Sequence, residues 1–210
     1  MAPRRTRVVE ARRDQNVTQP DSDPTALQRA STWNVDALHS QVFVSVRHMG
    51  VASLRAKFPK ITGRLEVDPA DPLRSTFELE ADTRAVTTGH PPQEDFMRSE
   101  NWLDAENHPA LSFRSTSVEP RDGTDYLVRG DLTLRGVTRP VEIPLEFHGV
   151  VSDPWGLRAG FTGRFTVNRR DFGIMWTRQF DWGQMAGDDL EVSLDIEVSH
   201  PDESLAQKPS

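Results

Sequence analysis

The chain of 210 residues contains no cysteine, which excludes disulfides and thiolate chemistry and leaves the redox compartment open. Its hydrophobic content is only 36%, and no run approaches the ~20 apolar residues of a membrane-spanning helix. Near the start, Arg4-Arg5-Thr6-Arg7 resembles the basic head of a secretory signal. Only Val8-Val9 follows, however, where such a signal needs roughly 7–15 apolar residues. The expectation is a protein without a signal peptide or transmembrane segment, cytoplasmic by default. Positive charge is also scarce, with a formal net charge of −7. Residues 1–30 hold six Arg and four acids, so the rest of the chain is more acidic still and repels phosphate backbones. No nucleic-acid partner is expected.

Catalytic signatures are missing as well. There is no Gly-x-Ser-x-Gly elbow, no P-loop and no Gly-x-Gly-x-x-Gly after a strand. His39, His90, His108 and His148 show no metal-ligand spacing such as His-x-His, so no metal site is expected. Asp188-Asp189 reads as a solvated carboxylate pair at a strand entrance.

What is present is alternation. Val42, Val44, Val46 and His48 share one parity, as do Phe77, Leu79 and Ala81. The same holds for Tyr126, Val128, Gly130, Leu132 and Leu134, and for Val141, Ile143, Leu145, Phe147, Gly149 and Val151. Leu157, Ala159, Phe161, Gly163, Phe165 and Val167 follow, and Leu190, Val192, Leu194, Ile196 and Val198 close the series. A period of two over such lengths predicts half-buried antiparallel strands, seven to nine in number. Pro120-Arg121-Asp122-Gly123, Arg135-Gly136 and Asp153-Pro154-Trp155-Gly156 read as hairpin turns. With no long helix between them, parallel βαβ units are excluded. A closed barrel and a two-sheet sandwich both satisfy the pattern.

Four stretches depart from alternation. Residues 1–30 read as a disordered tail, with a breaker-rich linker at Gln19–Pro24, and residues 201–210 as a second tail. The folded body is then 31–200. Between Thr87 and Pro109, Ser99–Glu106 reads as a short helix with Ser99 as N-cap, and Pro91–Met97 as a second candidate. The aromatic, irregular stretch Met175–Trp182 reads as a lid or rim over an apolar opening. Asp171-Phe172-Gly173 reads as a tight corner with Asp171 capping backbone N–H groups, and Asp131 with Arg135 as a surface ion pair. Gly130, Gly149 and Gly163 fall on the apolar face, where they relieve crowding or leave space for a guest.

Several segments together resemble the YceI-like proteins. They begin with Asp36-x-x-His39-Ser40, Val46-Arg47-His48, Phe58-Pro59-x-Ile61-Thr62-Gly63 and Val67-Asp68-Pro69. Thr88-Gly89, Arg98-Ser99-x-x-Trp102-Leu103-Asp104-Ala105-Glu106-x-His108-Pro109 and Leu111–Thr116 come next. Gly130–Val141, Asn168-Arg169-x-Asp171-Phe172-Gly173-Ile174 and Asp188-Asp189-x-Glu191-Val192 complete the likeness over about residues 31–198. One stretch departs from it: Gln93-Glu94-Asp95-Phe96-Met97 stands where the family shows Arg-Asp-x-His-Leu. The resemblance implies an all-β, extended eight-stranded antiparallel lipocalin-like barrel with one or two short helices. It implies a long apolar pore for a polyisoprenoid or an isoprenoid quinone as bound lipid.

The expected ligand contacts are His39, Phe43, Arg47, His48, Phe58, Trp102, Phe113, Phe165, Phe172 and Trp176. His48 is the one expected inward polar residue on its strand. The leading function is a carrier that sequesters a long apolar, lipid-like molecule in the lumen. A second reading is an enzyme that cyclises or isomerises an apolar substrate in the same cavity, using His48, Arg47 or a rim acid. A third is a stress-related interaction module with a barrel packed solid. A homodimer is left open as the assembly.

Overall fold

The computed structural model describes residues 20–181 and 183–201. Alternating side chains generate strands β1 (Thr32–Val35), β2 (Gln41–His48), β3 (Ala52–Lys57), β4 (Ile61–Glu66) and β5 (Thr76–Asp82). After helix α1 (Pro91–Arg98) come β6 (Ala110–Pro120), β7 (Asp125–Leu134), β8 (Val137–Asp153) and β9 (Gly156–Asn168). A two-residue ladder, β10 (Gln179–Phe180) with β11 (Gly183–Gln184), precedes β12 (Ala186–Pro201).

Pairing is antiparallel throughout. It runs β4-β5-β6-β7-β8-β9-β12 between neighbours, and β12 meets both β2 and β1. β1 and β2 lie end to end along β12, broken by the Asp36–Ser40 turn. On their other edge β1 pairs with β4 and β2 with β3. The result is a closed antiparallel barrel of eight staves, two of which are broken. Closure through the β1–β12 and β1–β4 pairings leaves the short β3, which ladders only with β2, as the one unladdered edge of the described barrel, where a sandwich would expose more.

The β12 pattern shows the physics. Leu190, Val192, Ile196 and Val198 are buried toward the inside, while Glu191 and Asp195 face solvent. One barrel end, where Ala186, Asn168 and Leu134 lie, is covered by α1. The opposite end carries the hairpins at residues 121–124 and 154–155 and a 3-10 turn, Pro72–Arg74.

Residues 20–30 belong to the body, which corrects the boundary expected at residue 31. Asp21 exchanges two backbone hydrogen bonds with Val150, each 2.8 Å. Gly149, at a bulge with φ 101°, permits this approach: a Cβ there would lie 2.7 Å from Pro20 Cβ and 2.8 Å from the Asp21 carbonyl. A 3-10 turn over Pro24–Arg29 follows, N-capped by Asp23, and places Ala26 and Ala30 in the core. The fully buried Trp33 then donates its indole N–H to the Leu27 and Ala30 carbonyls. The proposed tails at residues 1–19 and 202–210 lie outside the described residues.

The helix is α1, not Ser99–Glu106. Pro91 and Pro92 occupy its first turn, where a missing N–H costs nothing. The Glu94 carboxylate accepts from Thr87 Oγ1 at 2.7 Å, Thr88 N at 2.9 Å and Gly89 N at 3.0 Å, fixing the entry of the chain. Ser99 cannot cap a following helix, because its hydroxyl donates back to the Phe96 carbonyl at 2.7 Å. Residues 99–107 proceed instead as turns, with Asp104 at φ 50°.

Candidate ligand-binding lumen

Inward side chains of all eight staves leave a cavity of about 440 Å³. The barrel is therefore not packed solid. Its volume lies in the ~300–1,000 Å³ range typical of small-molecule sites. Under α1 the cavity is lined by Phe58, Met97, Trp102 and Leu103, and Phe58, Trp102 and Leu103 are almost wholly buried. At the other end its rim is Leu27, Asp71, Pro72, Leu73, Ser75 and Pro120, where Leu73 is 39% exposed. The lumen is closed at one end and opens at the other.

The lining is overwhelmingly apolar. Asp71 and Ser75 sit at the rim, and the Thr162 hydroxyl is taken by His148 Nε2 at 2.9 Å. Tyr126 stands at the open end of β7, opposite Pro120 and Leu145. Burial, with a smaller contribution from Asp23, pushes its phenol pKa up, so it remains a neutral hydroxyl at physiological pH. Gly130 allows the wall to be filled sideways. A Cβ there would lie 2.5 Å from the Phe113 ring, so that ring packs directly on the β7 backbone. Gly163 lines the lumen itself.

The closed end is a layered plug. Phe96 of α1 meets Trp176 edge-on at 4.6 Å between centroids and lies 6.1 Å from Trp102. Behind Trp102, at 5.4 Å from its ring, is the guanidinium of Arg169, whose residue is 0% exposed. Arg169 donates to the carbonyls of Gly187 (2.7 Å), Ile174 (2.6 Å) and Ala186 (3.4 Å) and to Asp188 Oδ1 (2.9 Å). Asp188 also meets Arg170 at 2.8 Å. Burial alone would raise its pKa, but Arg170, Gln184 and Arg169 together hold it below the usual carboxylate range. Asp188 is thus a bridging counter-ion rather than half of a solvated pair. The corner before it is capped by Asn168, which accepts from Arg170 N at 2.9 Å, and not by the exposed Asp171. Gly173 supplies the positive φ, 74°, expected of that corner. Arg135 donates to the Trp102 carbonyl at 3.0 Å, so it braces the plug instead of serving a surface pair with Asp131. Trp182, part of the expected lid, lies outside the described residues.

Of the residues expected to contact a ligand, Phe58, Trp102, Phe113 and Phe165 line the lumen. Phe172 is buried in the plug, and Trp176 packs on Phe96 from outside the cavity. Phe43 has outward parity; its ring lies 5.9 Å from Lys57 Nζ on the outer wall. Arg47 is exposed. His48 keeps the parity of Val46 but sits at the end of β2, half-buried and beyond the cavity lining. His39 is on the outer surface, its side chain 54% exposed.

That surface position has its own logic. Arg158 bonds Asp36 at 3.0 Å, Glu197 at 2.8 Å, and Asp153, tying the broken stave to β8, β9 and β12. His39 Nδ1 joins Asp36 Oδ2 at 2.9 Å, and this hydrogen bond raises the imidazole pKa above its ordinary value. Asp36, His39 and Glu197 have ligand atoms within 4.8 Å of one another, a set of the kind that holds a cation. Arg158 already supplies the positive charge there. The rest of the lining is aliphatic and was not among the expected contacts: Val44, Leu79, Val128, Ile143, Val192 and Ile196 among others. Their signal was the alternation itself.

Comparison with known proteins gives a consistent picture. A Vibrio cholerae UPF0312 protein is 36% identical over 137 residues, 65% of this chain and 72% of that protein. The crystal structure of Burkholderia cenocepacia BcnA matches with a TM-score of 0.67 at 22% identity, covering 78% of this chain and 98% of that one. A structure described as a polyisoprenoid binding domain from Saccharophagus degradans matches at 0.61 with 14% identity, covering 80% and 98%. The YceI-like domain model matches residues 33–198, and the chain belongs to that family.

Proposed function

We propose that this protein carries a long apolar ligand of the polyisoprenoid or isoprenoid quinone class in its lumen. The observation that carries the reading is the apolar 440 Å³ cavity, shut at one end and open at the other, with charge confined to its rim. Burying each CH₂ is worth about 0.8 kcal/mol, so a chain threaded into it binds without strong polar contacts. The neutral Tyr126 hydroxyl at the open end offers one hydrogen bond to a head group. Of the groups the catalytic alternative would use, Arg47 and His48 do not line the cavity, and the rim acid Asp71 does.

The test is native mass spectrometry of the purified protein, with uptake of added quinone and polyprenol. Leu194→Trp, which projects bulk into the lumen, should keep the barrel's circular dichroism and abolish uptake. Uptake unchanged by Leu194→Trp, or no uptake by the parent, would overturn the proposal. Tyr126→Phe tests the head-group bond. It should weaken binding of quinone and of polyprenol, each with an oxygen at its head, by about 0.5–1.5 kcal/mol and leave a polyprenyl hydrocarbon without one unaffected.

A further inference from the structure

We infer that the free edge of β3 takes an extended, acidic segment of a partner protein as an added strand. β3 and β4 form one broken stave: β5 flanks β4, but β3 ladders with β2 alone. Lys57 marks where its other side becomes free. Its N–H donates to the Thr87 carbonyl at 2.8 Å, and its carbonyl accepts from Thr87 N at 2.9 Å, both on the side away from β2. Gly89, at φ 78°, then turns the chain off the edge and into α1. Backbone groups alternate in direction along an antiparallel ladder, so those of Ser53 and Arg55 point the same way as those of Lys57. Nothing among the described residues bonds them on that side. Ala52, Ser53 and Arg55 are all exposed. The N–H and C=O of two residues thus stand open in line with Thr87, where one further strand would continue the wall.

Charge names the occupant. The chain carries −7 overall, yet no Asp or Glu occurs between Asp36 and Glu66. Arg47, Arg55, Lys57 and Lys60 fall in that interval, on the β2–β3 hairpin and just after it. None of the four has an ion-pair partner among the described residues, whereas Arg64 meets Glu66 at 2.8 Å. The carboxylates that flank this edge are already engaged. Asp82 is held by Arg84 at 2.9 Å, Asp95 by Arg98 at 2.7 Å, and Glu94 by Thr87, Thr88 and Gly89. Across β2, Glu191 accepts from Ser45 at 3.2 Å. Cations on a short edge strand are an ordinary defence against self-pairing. A second copy would bring Arg55 and Lys57 of both chains onto one face, and like charges there repel. The same row attracts a strand whose outward residues are acidic. On the inward face Leu54 is half-buried and packs on the core, so an apolar residue beside it would cover the remainder. The fitting segment therefore alternates acidic and apolar residues, with backbone hydrogen bonds to β3 supplying affinity and the alternation supplying specificity. The edge lies away from the rim at Leu27, Leu73 and Pro120, so a partner there leaves the lumen mouth clear. The inference does not depend on the carrier function.

The experiment is an NMR titration of the full chain, with amide hydrogen exchange, against two synthetic peptides of about six residues. One alternates Glu and Val, and the other has Lys in place of Glu. Expected is saturable binding of the Glu peptide alone, with exchange slowed at the Ser53 and Arg55 amides. Arg55→Glu should weaken that binding about tenfold and admit the Lys peptide. Arg55→Pro removes an outward N–H that no bond within the fold uses, so it should keep the barrel's circular dichroism and lose the peptide. If that variant does not fold, Arg55→Glu carries the test. No binding, equal binding of both peptides, binding without protection of Ser53 and Arg55, or parental affinity in Arg55→Glu would each overturn the inference. So would protection of these amides in the protein alone together with dimeric sedimentation, which would make the occupant a second copy. Protection by phosphatidylserine vesicles and not by the peptide would make it a bilayer, with the same consequence.

Discussion

The two ends of this barrel are built from the same strands and use their polar groups in opposite ways. At the closed end a whole guanidinium is withdrawn from water and satisfied by three carbonyls and a carboxylate, with Trp102 stacked over it. At the open end charge stays on the rim and in surface turns, and apolar side chains face solvent. A buried, fully bonded group resists rearrangement, because any displacement leaves several partners unpaired. Short Asx-type turns and 3-10 segments resist little. The difference assigns rigidity to one end and access to the other.

The comparison can be broken most severely at Arg169. Arg169→Met removes the charge and leaves Asp188 and the carbonyls of Ile174 and Gly187 facing an apolar side chain. The expected loss is about 3–5 kcal/mol, read as a lowered denaturant midpoint. A loss under ~1 kcal/mol would mean that the plug is not the rigid end. Gly130→Val tests the wall between the ends. Its side chain meets the Phe113 ring and the Arg114 carbonyl, so a destabilisation of about 1–3 kcal/mol is expected from thermal unfolding. Leu73→Ser probes the open end, where stability should shift by less than about 0.5 kcal/mol. The rate of quinone release, followed by stopped flow, should rise instead.

The smallest effect is at His39. Its pKa is raised in the folded state, so its contribution to stability is complete below the ordinary imidazole value of about 6.5 and is lost as pH rises through the folded value. Asp36 behaves oppositely. Burial opposes its ionisation, but the hydrogen bonds from His39 and from the Leu38 and His39 amides hold its pKa down. Its contribution is present above the ordinary carboxylate range and lost as pH falls. His39→Ala should therefore flatten the stability profile above neutrality only slightly, since the ring is exposed. An NMR titration giving His39 an ordinary or lowered pKa would remove the basis for this.

Much of the wall was legible beforehand, because side-chain parity is a local property of a strand: Val128, Leu132, Ile143 and Val192 declare their face by their neighbours. Parity fails at strand ends. His48 has inward parity but lies past the cavity, and Arg139, of the same parity as Ile143, is exposed near the start of β8. Aromatic content misled in a similar way. Phe43 and Trp176 look like lumen residues, yet one belongs to the outer wall and the other to the outside of the plug.

The sequence by itself determined the strands, their inward faces, most of their turns and the absence of thiol chemistry, since each follows from composition or from contacts within a few residues. Only the tertiary structure decided that Arg169 rather than Arg170 is the buried arginine. It alone decided that Arg158 holds Asp36 from 122 residues away, that residues 20–30 dock against Gly149, and which end of the lumen is shut. These depend on closure, which brings distant segments within hydrogen-bonding reach, and no period in the chain encodes which polar group will then be left inside.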